Sequence, residues 1–216
     1  MVGLRAVAHG MVTLVRGEGL WMTWNLLLAV VLAVFAIVLF RRGSTRTIAW
    51  WIGVAVFVLF LPNAPYVLTD AIHLFDQIRA TDSDLQVIGI VLPVYGGFFL
   101  AGFACYVIAL RRVRDYVRHD VEPLGTRIDL RWLTVAAALH ALCALGIFLG
   151  RVLRLNSWNV VTHPGSVVEA LQVTLRGFPI ALVAATFVGL VVLTAVTNLV
   201  VDAGVERGRR LLHRDQ

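Results

Sequence analysis

The stretch Leu26-Leu27-Leu28-Ala29-Val30-Val31-Leu32-Ala33-Val34-Phe35-Ala36-Ile37-Val38-Leu39-Phe40 contains no charged residue. As a helix it is hydrophobic all round, which suits lipid or deep burial and not a water-facing surface. Extended back to Trp21, it reaches the roughly 20 residues that cross about 30 Å of hydrocarbon at about 1.5 Å per residue. Four more apolar runs follow, from Ile48 to Leu61, Val87 to Leu110, Trp132 to Leu149 and Phe178 to Val201. The second is short and gains length from the apolar residues beyond Pro65. The third is interrupted by Pro93 and by Gly96-Gly97. The expected fold is all-α, a polytopic transmembrane helix bundle of five spans.

The whole chain agrees with that stretch. Its 216 residues leave room for one domain, and 59% are hydrophobic, 15% charged, with a mean hydropathy of +0.84. Soluble domains hold about 25% charged and 45–50% apolar residues. A soluble chain this apolar would lack the polar sequence to cover its own surface, so the excess faces lipid. Cys105 and Cys143 lie inside apolar runs and read as small hydrophobes, not as a disulfide or metal framework.

Residues 1–20 form an N-terminal amphipathic or marginal membrane segment, residues 21–201 the bundle, and residues 202–216 a basic cytoplasmic tail. Met1–Gly19 carries Arg5, His9, Arg16 and Glu18 among apolar residues. It lacks the clean apolar core and cleavage site of a signal peptide. An interfacial helix is the preferred reading; if the segment crosses, the spans number six.

All 19 basic residues are arginine, and the net charge is +6. They flank apolar segments and form no dense basic face, so they argue for anionic head groups and against nucleic acid. If loops alternate sides, thirteen arginines share one side: Arg41, Arg42, Arg46, Arg111, Arg112, Arg114, Arg118, Arg127, Arg131, Arg207, Arg209, Arg210 and Arg214. The other side holds six: Arg5, Arg16, Arg79, Arg151, Arg154 and Arg176. The positive-inside rule then puts the N-terminus outside and the C-terminus in the cytoplasm of a multi-pass inner (plasma) membrane protein. Trp21, Trp24, Trp50, Trp51, Trp132 and Trp158 sit near span ends, where indole rings settle in the head-group layer.

Two polar loops fall on the outer side. In the first, Pro62 and Pro65 bracket Asn63, so the second span should break there. Asn63 can cap a new helix with Pro65 in its first turn. Tyr66, Asp70, His73 and Gln77 then form one polar stripe at i, i+4, i+7 and i+11. A carboxylate three residues before an imidazole can orient it for acid–base work. It can equally pair with the imidazole, or with an arginine, to satisfy a partly buried helix. Two candidate ligands do not make a metal site, which takes three or four. In the second loop, Arg151 and Arg154 share a face if helical, and Asn156 or Ser157, followed by Trp158, suits the end of that helix. If the loops meet, these arginines face Asp70 and Asp76 as an ion pair or as a clamp for an anion.

Other signals are bland. His140 lies inside the fourth span and should hydrogen-bond a neighbouring helix, and His163-Pro164 reads as a turn. The sequence contains no Walker A, G-x-G-x-x-G, H-E-x-x-H, C-x-x-C or G-x-S-x-G motif. No internal repeat points to an inverted-repeat transporter. No cofactor is assigned.

Trp24-Asn25-Leu26-Leu27-Leu28-Ala29, Leu61-Pro62-Asn63-Ala64-Pro65-Tyr66 with Thr69-Asp70 and His73-Leu74, and Gly150-Arg151 with Arg154 and Asn156-Ser157-Trp158 resemble the DUF1361 family of bacterial membrane proteins. The likeness runs from about Trp21 to Val201, and its middle motif is the specific one. It implies a multi-span bundle with polar motifs near one membrane face, and no activity. Two departures stand out. The resemblance implies a further apolar span where Met1–Gly19 stands, and an aspartate where this chain has Asn159. The expectation is therefore an integral membrane protein of unknown activity with an outer-face polar site of Asn63, Tyr66, Asp70, His73, Arg151, Arg154, Asn156, Ser157 and Trp158. Its partners would be the bilayer, an anionic lipid or small anion, and an oligomer or membrane complex. The alternatives are a structural or assembly component of a membrane complex and a small-solute transporter.

Overall fold

A computed structural model describes residues 2–41, 43–119, 129–155, 159–174 and 178–212. The described residues are helical and include no strand. Five helical segments, Gly19–Leu39, Ile48–Ala80, Asp84–Arg118, Leu130–Arg151 and Phe178–Arg207, are long and apolar enough to cross a membrane. The chain is an all-α, multi-pass membrane protein. It divides into two compact units, residues 1–124 and 125–216.

In the first unit, α1 runs unbroken from Val2 to Leu39. Residues 2–20 and the first span thus share one helix of 38 residues. At about 1.5 Å per residue that is roughly 57 Å, far more than the hydrocarbon layer. Met22, Ala29, Leu32, Ala33, Ala36 and Phe40 form its buried stripe. α6 (Leu92–His119) packs along α1, and buried alanines of this kind allow close approach where helices meet in lipid. Val30, Val31, Val34 and Val38 point outward, apolar and exposed, as a lipid-facing surface requires.

A short turn through Gly43, in the left-handed region at φ 79°, leads to α2 (Ile48–Phe60). Thr47 caps α2 by accepting from Trp50 N–H at 3.2 Å. The Trp50 indole N–H donates to Leu39 O at 3.0 Å, occupying one of the carbonyls that α1 leaves open at its end. At the Pro62–Pro65 motif α2 does break, but the chain stays right-handed. It continues as α3 (Asn63–Tyr66), a 3₁₀ turn (Val67–Asp70) and α4 (Ala71–Ala80). Pro65 lies in the first turn of α3, as expected. Asn63 is not the cap: Pro62 holds that position, and the Asn63 amide donates to Phe60 O at 3.0 Å. The carbonyls freed at the end of α2, and not the N–H groups of α3, are what needed a partner.

After a three-residue α5 (Asp84–Gln86), residues Val87–Val91 form one π turn, with Leu92 N–H bonding back to Val87 O. The wide turn precedes Pro93, which has no N–H and in an α-helix would press against the carbonyl four residues earlier. Contrary to the sequence expectation, α6 continues unbroken through Gly96-Gly97. A Cβ at either position would meet open space. Gly102 differs. A Cβ there would press into Val67 Cγ2 and stand 2.9 Å from Val67 Cγ1 and 3.1 Å from Val67 Cβ. Only glycine lets α6 pass this close to the 3₁₀ turn.

In the second unit, Asp129 caps α7 (Leu130–Arg151), its Oδ1 accepting from Trp132 N–H at 3.1 Å. Leu139, His140, Cys143, Ala144, Ile147 and Phe148 make the buried face of α7, against which α10 (Phe178–Leu212) packs. His140 is buried, with its ring edge-on to Phe187 of α10 at 6.5 Å. Between them lie α8 (Asn159–Thr162) and α9 (Pro164–Thr174), helices in a region read from sequence as loop. Pro164 opens α9 at the position where its missing N–H costs nothing. Thr186 and Thr197 turn their hydroxyls back to Leu182 O and Leu193 O at 2.9 and 2.8 Å, so a polar residue sits in an apolar span without an open donor. Cys105 and Cys143 are buried free thiols.

Candidate functional site

Asn25, Asp70 and His73, polar residues from different helices of the first unit, lie at one end of its apolar helices. Over Val67–Asp70 the 3₁₀ geometry turns about 120° per residue in place of about 100°. Tyr66 and Asp70 therefore stand about 120° apart around the axis, not the roughly 40° of a continuous α-helix. The single stripe expected from sequence is split. Tyr66 stays half-buried, whereas Asp70 is turned inward and only 2% exposed.

The side chain that meets Asp70 comes from α1. Asn25 Nδ2 donates to Asp70 Oδ2 at 3.1 Å. Asn25 directly precedes the uncharged run of residues 26–40, and Asp70 lies within the apolar segment Ile48–Ala80, so the bond sits at the depth of the apolar helices. Burying a carboxyl at such depth is costly unless it is hydrogen-bonded. The amide is an apt partner because its N–H donates to a carboxyl oxygen without importing a second charge.

One turn before Asn25, Trp21 forms the other side of the cluster. Its ring centroid lies 4.9 Å from that of His73 on α4, tilted by 41°. It also meets Tyr95 at 6.5 Å and Phe98 edge-on at 5.7 Å, both on α6. Below them Met22, Val67, Ile90, Val91, Tyr95 and Phe98 form one buried apolar cluster, against which Leu74 and Ile78 of α4 pack. Leu74 and Ile78, four apart, fix the face of α4, and His73 and Gln77 flank them half-buried. Thr69 donates to Tyr66 O at 2.7 Å and so stays within its own turn. Asp76 is exposed on α4.

The structure thus sets Asp70 against Asn25 and His73 against Trp21, leaves Tyr66 on another side of the turn, and bonds Asn63 to backbone. Three contributors escaped the sequence reading of the site: Trp21, Asn25 and Tyr95. Asn25 carried a usable signal, as an amide at the mouth of a long apolar run. Trp21 reads as an interface anchor from sequence, and nothing marks Tyr95 among its apolar neighbours.

Arg151 and Arg154 belong to the second unit. Arg151 is the last residue of α7, and Arg154 lies beyond the helix end at φ 54°. The shared helix face expected of them is therefore absent. The helix closes early because Leu155 N–H reaches back to Leu149 O at 3.0 Å across the left-handed Arg154. Asn156, Ser157 and Trp158 lie outside the described residues.

The profile of DUF1361, described as a protein of unknown function, matches residues 24–197. No curated protein and no solved structure matches.

Proposed function

The chain belongs to the DUF1361 family of proteins of unknown function, and from that premise we propose that its working centre is the Asp70 cluster, a binding site at membrane depth for the polar group of a membrane-soluble molecule. One observation carries the reading: a carboxyl 2% exposed, inside the apolar segment, held by an amide from another helix at 3.1 Å. A membrane bundle needs no carboxyl to join two helices, since apolar packing or a neutral amide pair does so at less cost. Ionisable groups kept at this depth are functional suspects for that reason. Asn25 and Asp70 form the fixed floor, and His73 and Tyr66, half-buried, are the groups a ligand would touch. The arginine asymmetry of the sequence supports an outer-face location.

The test is native mass spectrometry of the full chain extracted in native lipid discs. Wild type should carry a small amphiphile that Asp70→Asn and His73→Ala lose while staying folded. An identical set of bound molecules in all three would sink the proposal. A structural reading has its own support, because Asn25 satisfies Asp70 directly. Under it, Asp70→Asn changes thermal stability and nothing else.

A further inference from the structure

The end of the first unit remote from Asp70 carries a second constellation. Arg46, in the α1–α2 connection, donates its Nε–H to Tyr116 Oη at 3.1 Å, and its Cζ stands 5.6 Å from the Tyr116 ring centroid. Trp50 stacks on the same ring at 5.5 Å and 28°. Phe40 meets Tyr116 and Trp50 edge-on, at 5.7 and 6.2 Å. Trp50 is itself pinned to α1 by its bond to Leu39 O. Three helices thus build an aromatic platform that fixes one arginine. Two more border it by position. Arg41 follows Phe40, and Arg112 precedes Tyr116 by one helical turn on the exposed side of α6. Among the described residues neither Arg41 nor Arg112 pairs with a carboxylate, and the nearby Asp115 lies against Arg114 at 3.7 Å.

We propose that this platform binds the phosphate of an anionic phospholipid head group. It stands where the apolar segments Gly19–Leu39 and Asp84–Arg118 end, the depth at which indole and phenol rings and lipid phosphates meet. A guanidinium fork matches phosphate geometry, and an arginine already held by a ring and a hydroxyl loses less freedom on binding. The source is a lipid and not soluble phosphate because an apolar surface adjoins the charge. Ile48, Trp51 and Ile52 on the first turns of α2 are exposed beside Trp50 and offer a seat for an acyl chain.

The experiment reconstitutes the full chain with equal phosphatidylglycerol and phosphatidylcholine and measures the lipid retained by native mass spectrometry. Wild type should retain phosphatidylglycerol preferentially. Arg46→Ala with Arg112→Ala should lower that preference by about tenfold or more, as loss of charge-assisted bonds implies. Tyr116→Phe, which keeps the ring and removes only the hydroxyl that holds Arg46, should lower it severalfold. Arg79→Ala with Arg151→Ala, which removes the same two charges away from the platform, should leave it intact, and so should Arg79→Ala alone. Equal retention of both lipids, an equal loss in Arg79→Ala with Arg151→Ala, or displacement of the lipid by free glycerol phosphate would each overturn the proposal.

Discussion

Gly102→Ala is the most direct probe of how the first unit holds its site. The new Cβ would stand 2.9 Å from Val67 Cγ1 and nearer still to Cγ2. Carbon–carbon contacts settle at about 3.5–4.0 Å, so Val67 must retreat by at least about 0.6–1 Å for Cγ1 and by more for Cγ2. It cannot swing aside, because a β-branched side chain is stiff and its Cγ atoms sit one bond from Cβ. The backbone of the 3₁₀ turn therefore moves. Asp70 is three residues on, on the same side of that turn, where residues eclipse. A shift of this size takes the 3.1 Å Asn25–Asp70 bond past the usual limit of about 3.5 Å. The expected loss is about 1–3 kcal/mol, the usual cost of overpacking. The assay is reversible unfolding in mixed micelles, run as a double-mutant cycle with Val67→Ala. Val67→Ala alone leaves a cavity and costs about 1 kcal/mol or more. It removes both clashing Cγ atoms and leaves the 3.1 Å Cβ contact. The double variant should thus be more stable than the sum of the singles by at least about 1 kcal/mol. Strict additivity, or a Gly102→Ala variant as stable as wild type, would refute the close approach.

Gly96→Ala and Gly97→Ala meet open space. They should be neutral or stabilising by up to about 1 kcal/mol in the same assay, opposite in sign to Gly102→Ala. Asn25→Leu should cost about 1–3 kcal/mol by removing the bond to Asp70. The exchange Asn25→Asp with Asp70→Asn should recover most of what Asn25→Asp loses, and a swap no better than the single change would show that the pair does not interact. Arg154→Gly should gain up to about 1 kcal/mol at φ 54°, whereas Arg154→Val should lose stability, ranked by thermal denaturation. For orientation, an Asp82→Cys variant should react with an impermeant maleimide added outside intact cells, and labelling only after lysis would reverse the topology.

The all-helical membrane character was legible because an uncharged apolar run of about one bilayer's length suits lipid and little else. The break at Pro62–Pro65 was legible for a similar reason: proline removes a donor whatever its surroundings. The details of that break were not. Asn63 turned to carbonyls upstream, and a 3₁₀ turn rotated Asp70 off the stripe shared with Tyr66. The turn lies where Gly102 passes close to Val67, a contact 35 positions apart in sequence. Asp70 and His73 were recognisable as a pair of interest, but Asn25 and Trp21 were not visible as their partners. Nothing local in α1 says which of its faces meets α4. Arg151 and Arg154 failed as a helical pair because a left-handed residue ended the helix first.

The wide turn at Val87–Val91 has a consequence for changes in chain length. It stores one residue more than an α-helical turn over the same stretch. Elsewhere in the third crossing helix, deleting a residue would rotate one half against the other by about 100° and turn lipid-facing side chains into the core. Here a one-residue deletion could relax into regular helix with both halves left in phase. Pro93 is the obstacle, since its ring would then clash with the carbonyl one turn back. A deletion within Val87–Val91 should therefore be tolerated when combined with Pro93→Ala, and poorly tolerated without it.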